Sequence, residues 1–340
     1  MRHGLSPRLV NDRFGDAALL VEVAHARRFV LFDCGDLHAA PSEALRLVTD
    51  LFISHAHLDH LIGFDHLLRQ VLDLPRRVRI FGPAGTAQHI AAKLQGYSWN
   101  LPPGARGGPD FLVHDFVPEE NAQAGRLAMW SLRSAAKFEP VAEPPRLIDD
   151  GLLLADEDLD VRAVVLDHAL PCLGFAFATP RRFHVRPERL RAAGLSAGRW
   201  VAEATRLLQT GVAPDTLLDV ASGEGRSERS LGWLQAHVFE EDRGARYAYV
   251  TDAADSPRNR AAIAALARGA DTLFIEAGFL DRDAAEAGAR SHLTAKAAGE
   301  LAAEAGVAQI VPFHFSERYR GREAELLAEV AAAFGKACDG

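Results

Sequence analysis

Apolar positions fall into short runs rich in Val, Ile, Leu and Phe, each closed by turn residues. These runs predict strands over residues 18–23, 29–33, 51–54, 78–81, 161–166, 173–178, 247–251, 272–276 and 309–313. Several are continuous rather than alternating, the pattern of strands covered on both faces. Between them, helical spacing of apolar positions recurs over 58–72, 86–94, 187–193, 199–208, 257–268, 294–305 and 322–334. Pro257 suits the first turn of its helix, with Ser256 before it as the cap. Strands and helices mixed in this way predict a layered α/β architecture.

Two stretches break the rhythm. Residues 102–109 (PPGARGGP) and 139–146 (EPVAEPPR) read as surface loops framing a strand-bearing segment. Residues 181–208 carry Arg181, Arg182, Arg186, Arg189, Arg191, Arg199 and Arg206 on two short predicted helices, and read as an arm or lid set between core strands. No linker divides the chain. The expectation is one domain over 1–340, with insertions at about 99–150 and an arm or lid at about 181–245.

Composition changes this picture little. With 340 residues, 48% apolar and 25% charged, the chain matches an ordinary folded protein rather than a disordered one. No apolar run reaches bilayer length, and residues 1–16 lack the apolar core of a secretory signal, so no membrane association is expected. Cys34, Cys172 and Cys338 make neither a disulfide framework nor a paired cysteine zinc site, which predicts a cytoplasmic setting. The net charge of −8 disfavours adhesion of the whole chain to polyanions. Only Lys93, Lys137, Lys296 and Lys336 break an otherwise all-arginine basic set, a bias of composition rather than an adaptation to phosphate.

The candidate chemistry begins directly after the run 50–53, in Ser54-His55-Ala56-His57-Leu58-Asp59-His60. Imidazole nitrogens and carboxylate oxygens suit zinc and similar divalent ions. On a strand-to-helix turn, His55 and His57 project to one side while Asp59 and His60 open the helix, so one segment can feed two adjacent metals. Further ligand types follow later apolar runs: His168 after 161–166, Asp252 after 247–251 and His314 after 309–313. The ends of strands are where α/β folds place their sites. Taken together, these residues read as one dinuclear site. His66, His89, His114, His184 and His237 have no ligand-like setting, and Cys172 reads as a small buried residue.

These motifs resemble the metallo-β-lactamase superfamily, and within it ribonuclease Z, the zinc phosphodiesterases that trim precursor tRNA. The HxHxDH motif carries the superfamily; Ser291-His292-Leu293-Thr294-Ala295, His314-Phe315-Ser316-Glu317-Arg318-Tyr319 and Phe32-Asp33-Cys34-Gly35 resemble segments of ribonuclease Z. The resemblance implies an αββα sandwich and two divalent ions per chain, zinc first, with Mn2+ and Fe2+ as alternatives. It implies that His55, His57 and His168 bind one metal, Asp59, His60 and His314 the second, and that Asp252 bridges them. Asp33 then orients a ligand histidine. Catalysis is assigned to Asp59, to His292 as proton donor to the leaving oxygen and to Glu276 as its partner, with a metal-bridging hydroxide attacking a phosphodiester. Precursor tRNA or a smaller phosphodiester is the implied substrate, and a homodimer the implied assembly.

The chain also departs from that pattern. Ile275 stands where the family carries a histidine before Glu276, residues 195–208 lack the Gly/Pro-rich run of the tRNA-gripping arm, and the bridging position reads Thr251-Asp252-Ala253. Hydrolysis of an ester, thioester or lactone on the same fold is therefore the alternative. A non-hydrolytic diiron member is a third, opposed by His57 where such proteins carry glutamate.

Overall fold

The computed structural model describes residues 4–24, 26–99, 108–119, 124–223 and 225–335. Most of the predicted loop at 102–109, and Cys338, lie outside the described residues. The chain divides into two compact units, one of Met1–Ala178 with Ala245–Gly340 and the other of Thr179–Gly244.

The larger unit is built on two sheets. The first runs in chain order through β1 (Leu5–Leu9), β2 (Leu19–Val23), β3 (Arg28–Phe32), β4 (Val48–Phe52), β5 (Arg77–Pro83), β6 (Asp110–Pro118), β7 (Gly125–Arg133) and β8 (Pro140–Ile148). Its strands β3 to β6 are parallel. In the smaller unit, β12 (Arg182–Val185) pairs with β15 (Phe239–Asp242), and β13 (Leu217–Ser222) with β14 (Gly225–Ser230). The second sheet of the larger unit takes β9 (Leu152–Ala155), β10 (Asp160–Asp167), β11 (Pro171–Ala178), β16 (Arg246–Val250), β17 (Thr272–Glu276) and β18 (Gln309–Phe313), in the order β18-β17-β16-β11-β10-β9.

Both faces of each sheet are covered, which is why the central strands read as unbroken apolar runs. Between the sheets, Phe32, Phe52, Phe81, Phe175, Phe177, Tyr249 and Phe313 form an aromatic core. Phe32 stacks on Phe52 at 5.0 Å and on Phe177 at 4.4 Å, tying the layers together. On the outer face of the first sheet, Leu31, Leu51 and Ile80 meet Phe64, Leu67 and Ile90 from the helices after β4 and β5. On the second, Ala248, Leu273 and Ile310 meet Ile263, Leu301 and Val330. The result is the expected αββα sandwich. Helix Ala295–Ala305 is rich in alanine because it lies close to helix Glu323–Phe334; a Cβ on Gly299 would come within 2.5 Å of the Val330 carbonyl. The cap at Ser256 forms as expected, accepting the Asn259 amide at 3.2 Å.

Two expectations are corrected. The single helix over 58–72 is two, Leu58–Leu61 and Phe64–Val71. They separate at Gly63, which presses so closely on the Gly35 carbonyl that no Cβ would fit and donates its amide to the Cys34 carbonyl at 2.9 Å. The apolar spacing runs through this break, so periodicity could not show it. The predicted loop at 139–146 lies almost wholly in β8, whose prolines are tolerated because it is the edge of the sheet.

The smaller unit has its own core, in which Trp200, Ala204, Leu218, Leu231, Leu234 and Phe239 are buried. Its helices are Pro187–Ala192, Arg199–Gln209 and Leu231–His237. Several of its arginines are paired with acids or with main-chain oxygens, Arg181 with Glu241 at 3.4 Å, Arg186 with Glu240, and Arg189 with the Phe239 carbonyl at 2.9 Å. Among the described residues no helix is long and apolar enough to cross a membrane.

His114, on β6, is buried and stacks on Phe81 at 4.4 Å, and neither ring nitrogen has a hydrogen-bond partner among the described residues. Burial first, then the positive charge of Arg146 and Arg79, hold its pKa down to about 4. An unfolded histidine takes up a proton near pH 6.5, whereas this one stays neutral to about pH 4, so stability falls as pH drops across that window. The loss is at most about 3 kcal/mol. Urea midpoints measured from pH 7 to pH 4 are expected to show it, and His114→Phe to flatten that part of the profile; equal slopes in both proteins would remove His114 as the cause.

Candidate metal centre

The C-terminal ends of β3, β4, β10, β16, β17 and β18 deliver the predicted residues to one place. Asp33 follows β3, His55 and His57 follow β4, His168 follows β10, Asp252 follows β16, Glu276 ends β17 and His314 follows β18. Local backbone helps turn these side chains inward. Asp33, Asp252 and His314 take left-handed φ angles of 57°, 40° and 58°, and Ala169 and Ser291, beside His168 and His292, take 59°. A side chain larger than glycine costs about 1–3 kcal/mol in such conformations, so part of the backbone strain lies where it aims the site.

Asp252 is the hub. Its Oδ2 lies 3.5 Å from His55 Nε2, 3.4 Å from His60 Nε2 and 3.4 Å from His168 Nε2. Its Oδ1 lies 3.1 Å from His314 Nδ1, and His314 Nε2 is 3.2 Å from Asp59 Oδ2. Ligand atoms of His55, His57, His168 and Asp252 all lie within 4.8 Å of one another, and the same holds for Asp59, His60 and His314. Asp252, Glu276, His292 and His314 form a further such group. All seven predicted ligands are thus brought together.

The donor set fits divalent ions. The Nε2 atoms of His55 and His60 are buried without a hydrogen-bond partner among the described residues, a costly state unless something accepts their lone pairs. Burial, and then the neighbouring His60, push the His55 pKa down to about 2, and burial with His168 lowers that of His57. At His60 and His314 burial is outweighed by facing carboxylates, Asp33 and Asp252 raising the pKa of the first and Asp252 and Asp59 that of the second, so a cation bound there would take the place of their protons, neutral imidazole being the form that ligates. Burial opposes charge on Asp252, but His314 and His60 outweigh it and hold the carboxyl well below its usual range.

Further hydrogen bonds fix the rings of the predicted ligands. Asp33 accepts the Ser54 amide at 2.7 Å and the Ser54 hydroxyl at 2.8 Å, and it meets His60 Nδ1 at 3.0 Å. Ser54 Oγ is also 3.0 Å from His55 Nδ1, and His168 Nδ1 donates to the Ser291 carbonyl at 2.8 Å. Ser54, Ser291 and Tyr249, whose hydroxyl donates to Asp33 at 3.0 Å, were not among the predicted site residues. Position was the available signal, since Ser54 precedes the motif and Tyr249 lies three residues before Asp252. Cys172 is buried with its sulfur 3.7 Å from His55 Nδ1, and burial pushes its thiol well above the usual range.

Glu276 is fully buried and its oxygens are engaged. Oε1 accepts the Ala253 amide at 2.6 Å and the Leu293 amide at 3.2 Å, and Oε2 lies 2.8 Å from His292 Nδ1. These bonds suit it to orienting His292. Capping of helix Ala295–Ala305 falls to Thr294, whose hydroxyl accepts the Ala297 amide at 3.1 Å, so His292 has no part in it. Burial works to lower the His292 pKa, but Glu276 and Asp252 outweigh it and raise the value to about 9.

Comparison with known proteins decides the family. Ribonuclease Z of Deinococcus radiodurans is 32% identical over 309 residues, covering 90% of this chain and 88% of that protein. The chain belongs to the ribonuclease Z family. Ribonuclease Z of Bradyrhizobium diazoefficiens is 30% identical, with 97% of this chain and 93% of that protein covered. Residues 205–315 match the beta-lactamase superfamily domain. The metallo-beta-lactamase fold protein YhfI of Bacillus subtilis shares the fold, with a TM-score of 0.54 at 13% identity over 99% of this chain and 96% of that one. This ribonuclease Z-family chain is accordingly a metal-dependent hydrolase. Its departure at Ile275 is a buried strand residue, and Glu276 beside it still reaches His292.

Proposed function

We propose that this protein is a two-metal endoribonuclease that cleaves a phosphodiester bond at the 3′ end of precursor tRNA. The observation that carries the reading is the convergence of three imidazole Nε2 atoms on one oxygen of Asp252, two of them, on His55 and His60, buried without a hydrogen bond among the described residues. His55, His57 and His168 would hold one ion, Asp59, His60 and His314 the other, with Asp252 shared. Bound there, divalent ions supply Lewis acidity, lowering the pKa of water towards neutrality and offsetting charge on the phosphoryl group. Zinc is the metal favoured by so imidazole-rich a donor set.

The chain's own residues do the rest. Asp33, through Ser54 and His60, keeps the imidazoles in a ligating orientation. Glu276 holds the His292 Nδ1 edge and leaves Nε2 for the leaving oxygen, to which His292 gives its proton. Asp59 lies 3.2 Å from His314 and would help hold the second ion. Relatives named ribonuclease Z support the nuclease reading, and the cysteine usage supports a cytoplasmic setting.

The test is cleavage of a labelled precursor tRNA with a 3′ trailer by zinc- or manganese-loaded protein. Cutting after the discriminator base is expected. No cutting by protein confirmed to hold two metals would overturn the tRNA assignment and move the substrate to small phosphodiesters or esters.

A further inference from the structure

The second ligand group spans both sheets, since Asp59 and His60 follow β4 of the first and His314 follows β18 of the second. Aromatic stacking holds the sheets together but does not specify their offset to a fraction of an ångström, which a metal site needs. His314 also sits at a φ of 58°, a conformation that must be held from outside. On one side the neighbouring loop does so, with the Ala277 amide donating to the Phe313 carbonyl at 2.9 Å and the Ser316 amide to that of Gly278 at 3.1 Å.

The other side is held by one residue near the N-terminus. The main-chain carbonyl of Arg13 accepts the Phe315 amide at 2.7 Å, and its Nη1 donates to the Pro312 carbonyl at 2.5 Å. Arg13 therefore grips the chain on both flanks of His314. Its Nε is fixed by Glu323 at 3.0 Å, and its side chain is largely buried. The loop carrying it, between β1 and β2, is tied to the first sheet. Asn11 donates to the Asp36 and Asp16 carbonyls at 2.8 Å each, and the Gly35 amide, two residues past Asp33, donates to the Ala17 carbonyl at 3.0 Å. Phe14 adds an edge contact to Phe315 at 5.5 Å. One loop thus joins the turn of Asp33 to the turn of His314.

We propose that Arg13 is a positioning residue for the second metal, setting the distance at which His314 of one sheet meets Asp59 and His60 of the other. The inference rests on the two-metal reading above. It predicts a site-selective effect, because the first ligand group does not include His314.

The experiment measures zinc stoichiometry and stepwise zinc affinity by chelator competition on the full chain, with cobalt absorption as a second readout. Arg13→Ala is expected to bind the first ion unchanged and the second about 10–100-fold more weakly, the usual cost of losing a residue that supports a ligand. Arg13→Lys keeps one donor for the Pro312 carbonyl and is expected to recover part of the loss, which also covers the case of a poorly folding alanine variant. Arg133→Ala, which breaks only an exposed ion pair with Glu143 between β7 and the edge strand β8, is expected to leave both affinities alone. Unchanged binding in both Arg13 variants, or equal weakening of both ions, would overturn the proposal. His314→Ala, run in parallel, separates the two claims. If it keeps two tightly bound ions the two-metal reading itself fails; if it loses one while the Arg13 variants do not, only the role of Arg13 fails.

Discussion

Asp252→Ala is expected to abolish binding of both metals and lower kcat on the order of 10³-fold, while circular dichroism and the melting profile stay close to those of the parent. The carboxylate lies within 3.5 Å of His55, His60, His168 and His314, so its loss removes a donor from both ligand groups at once. Metal-derived charge stabilisation is worth several kcal/mol, and about 4 kcal/mol corresponds to that factor. The fold should survive because the three apolar layers do not draw on Asp252. Asp252→Asn preserves the volume and is expected to behave alike. Retention of two ions per chain with full activity would sink the bridging role.

Replacing His292 by alanine is expected to leave both metals bound and cut kcat by about 10²–10⁴ for substrates with poor leaving groups, with far less effect when the leaving group needs no proton. The pH profile adds a sign. A histidine raised to about 9 is the charged donor throughout the neutral range, and activity that depends on it declines as pH rises through that value. Glu276→Gln removes the largest raising influence while keeping the side-chain shape, so the decline is expected to move towards pH 6.5. An unchanged rate in His292→Ala, or an unmoved profile in Glu276→Gln, would return these residues to a structural role.

Much of the site was legible because its chemistry is local. His55, His57, Asp59 and His60 sit within six positions at a strand-to-helix turn, and so dense a ligand set has little use elsewhere. His168, Asp252 and His314 could be placed because strand ends are marked by apolar runs stopping at a polar residue. His292 and Glu276 are marked only by the family resemblance, and their geometry needs the fold, since the 2.8 Å contact joins residues sixteen positions apart in different elements. Ser54 and Tyr249 carry no such mark, because serine and tyrosine at strand ends are ordinary, and Asp33, brought between them, gives them a purpose.

The sequence by itself determined the layered α/β class, the position of most central strands and the ligand types, all of which depend on short-range periodicity and side-chain chemistry. Only the tertiary structure decided where the helix over 58–72 breaks, that residues 140–148 form an edge strand, and that Arg13 reaches across 299 positions to the turn of His314. Backbone contacts such as Gly63 on Gly35 and hydrogen bonds to main-chain carbonyls carry no side-chain signature, because every residue presents the same groups. Which of them meet depends on how two sheets stack, and that is a property of the folded chain.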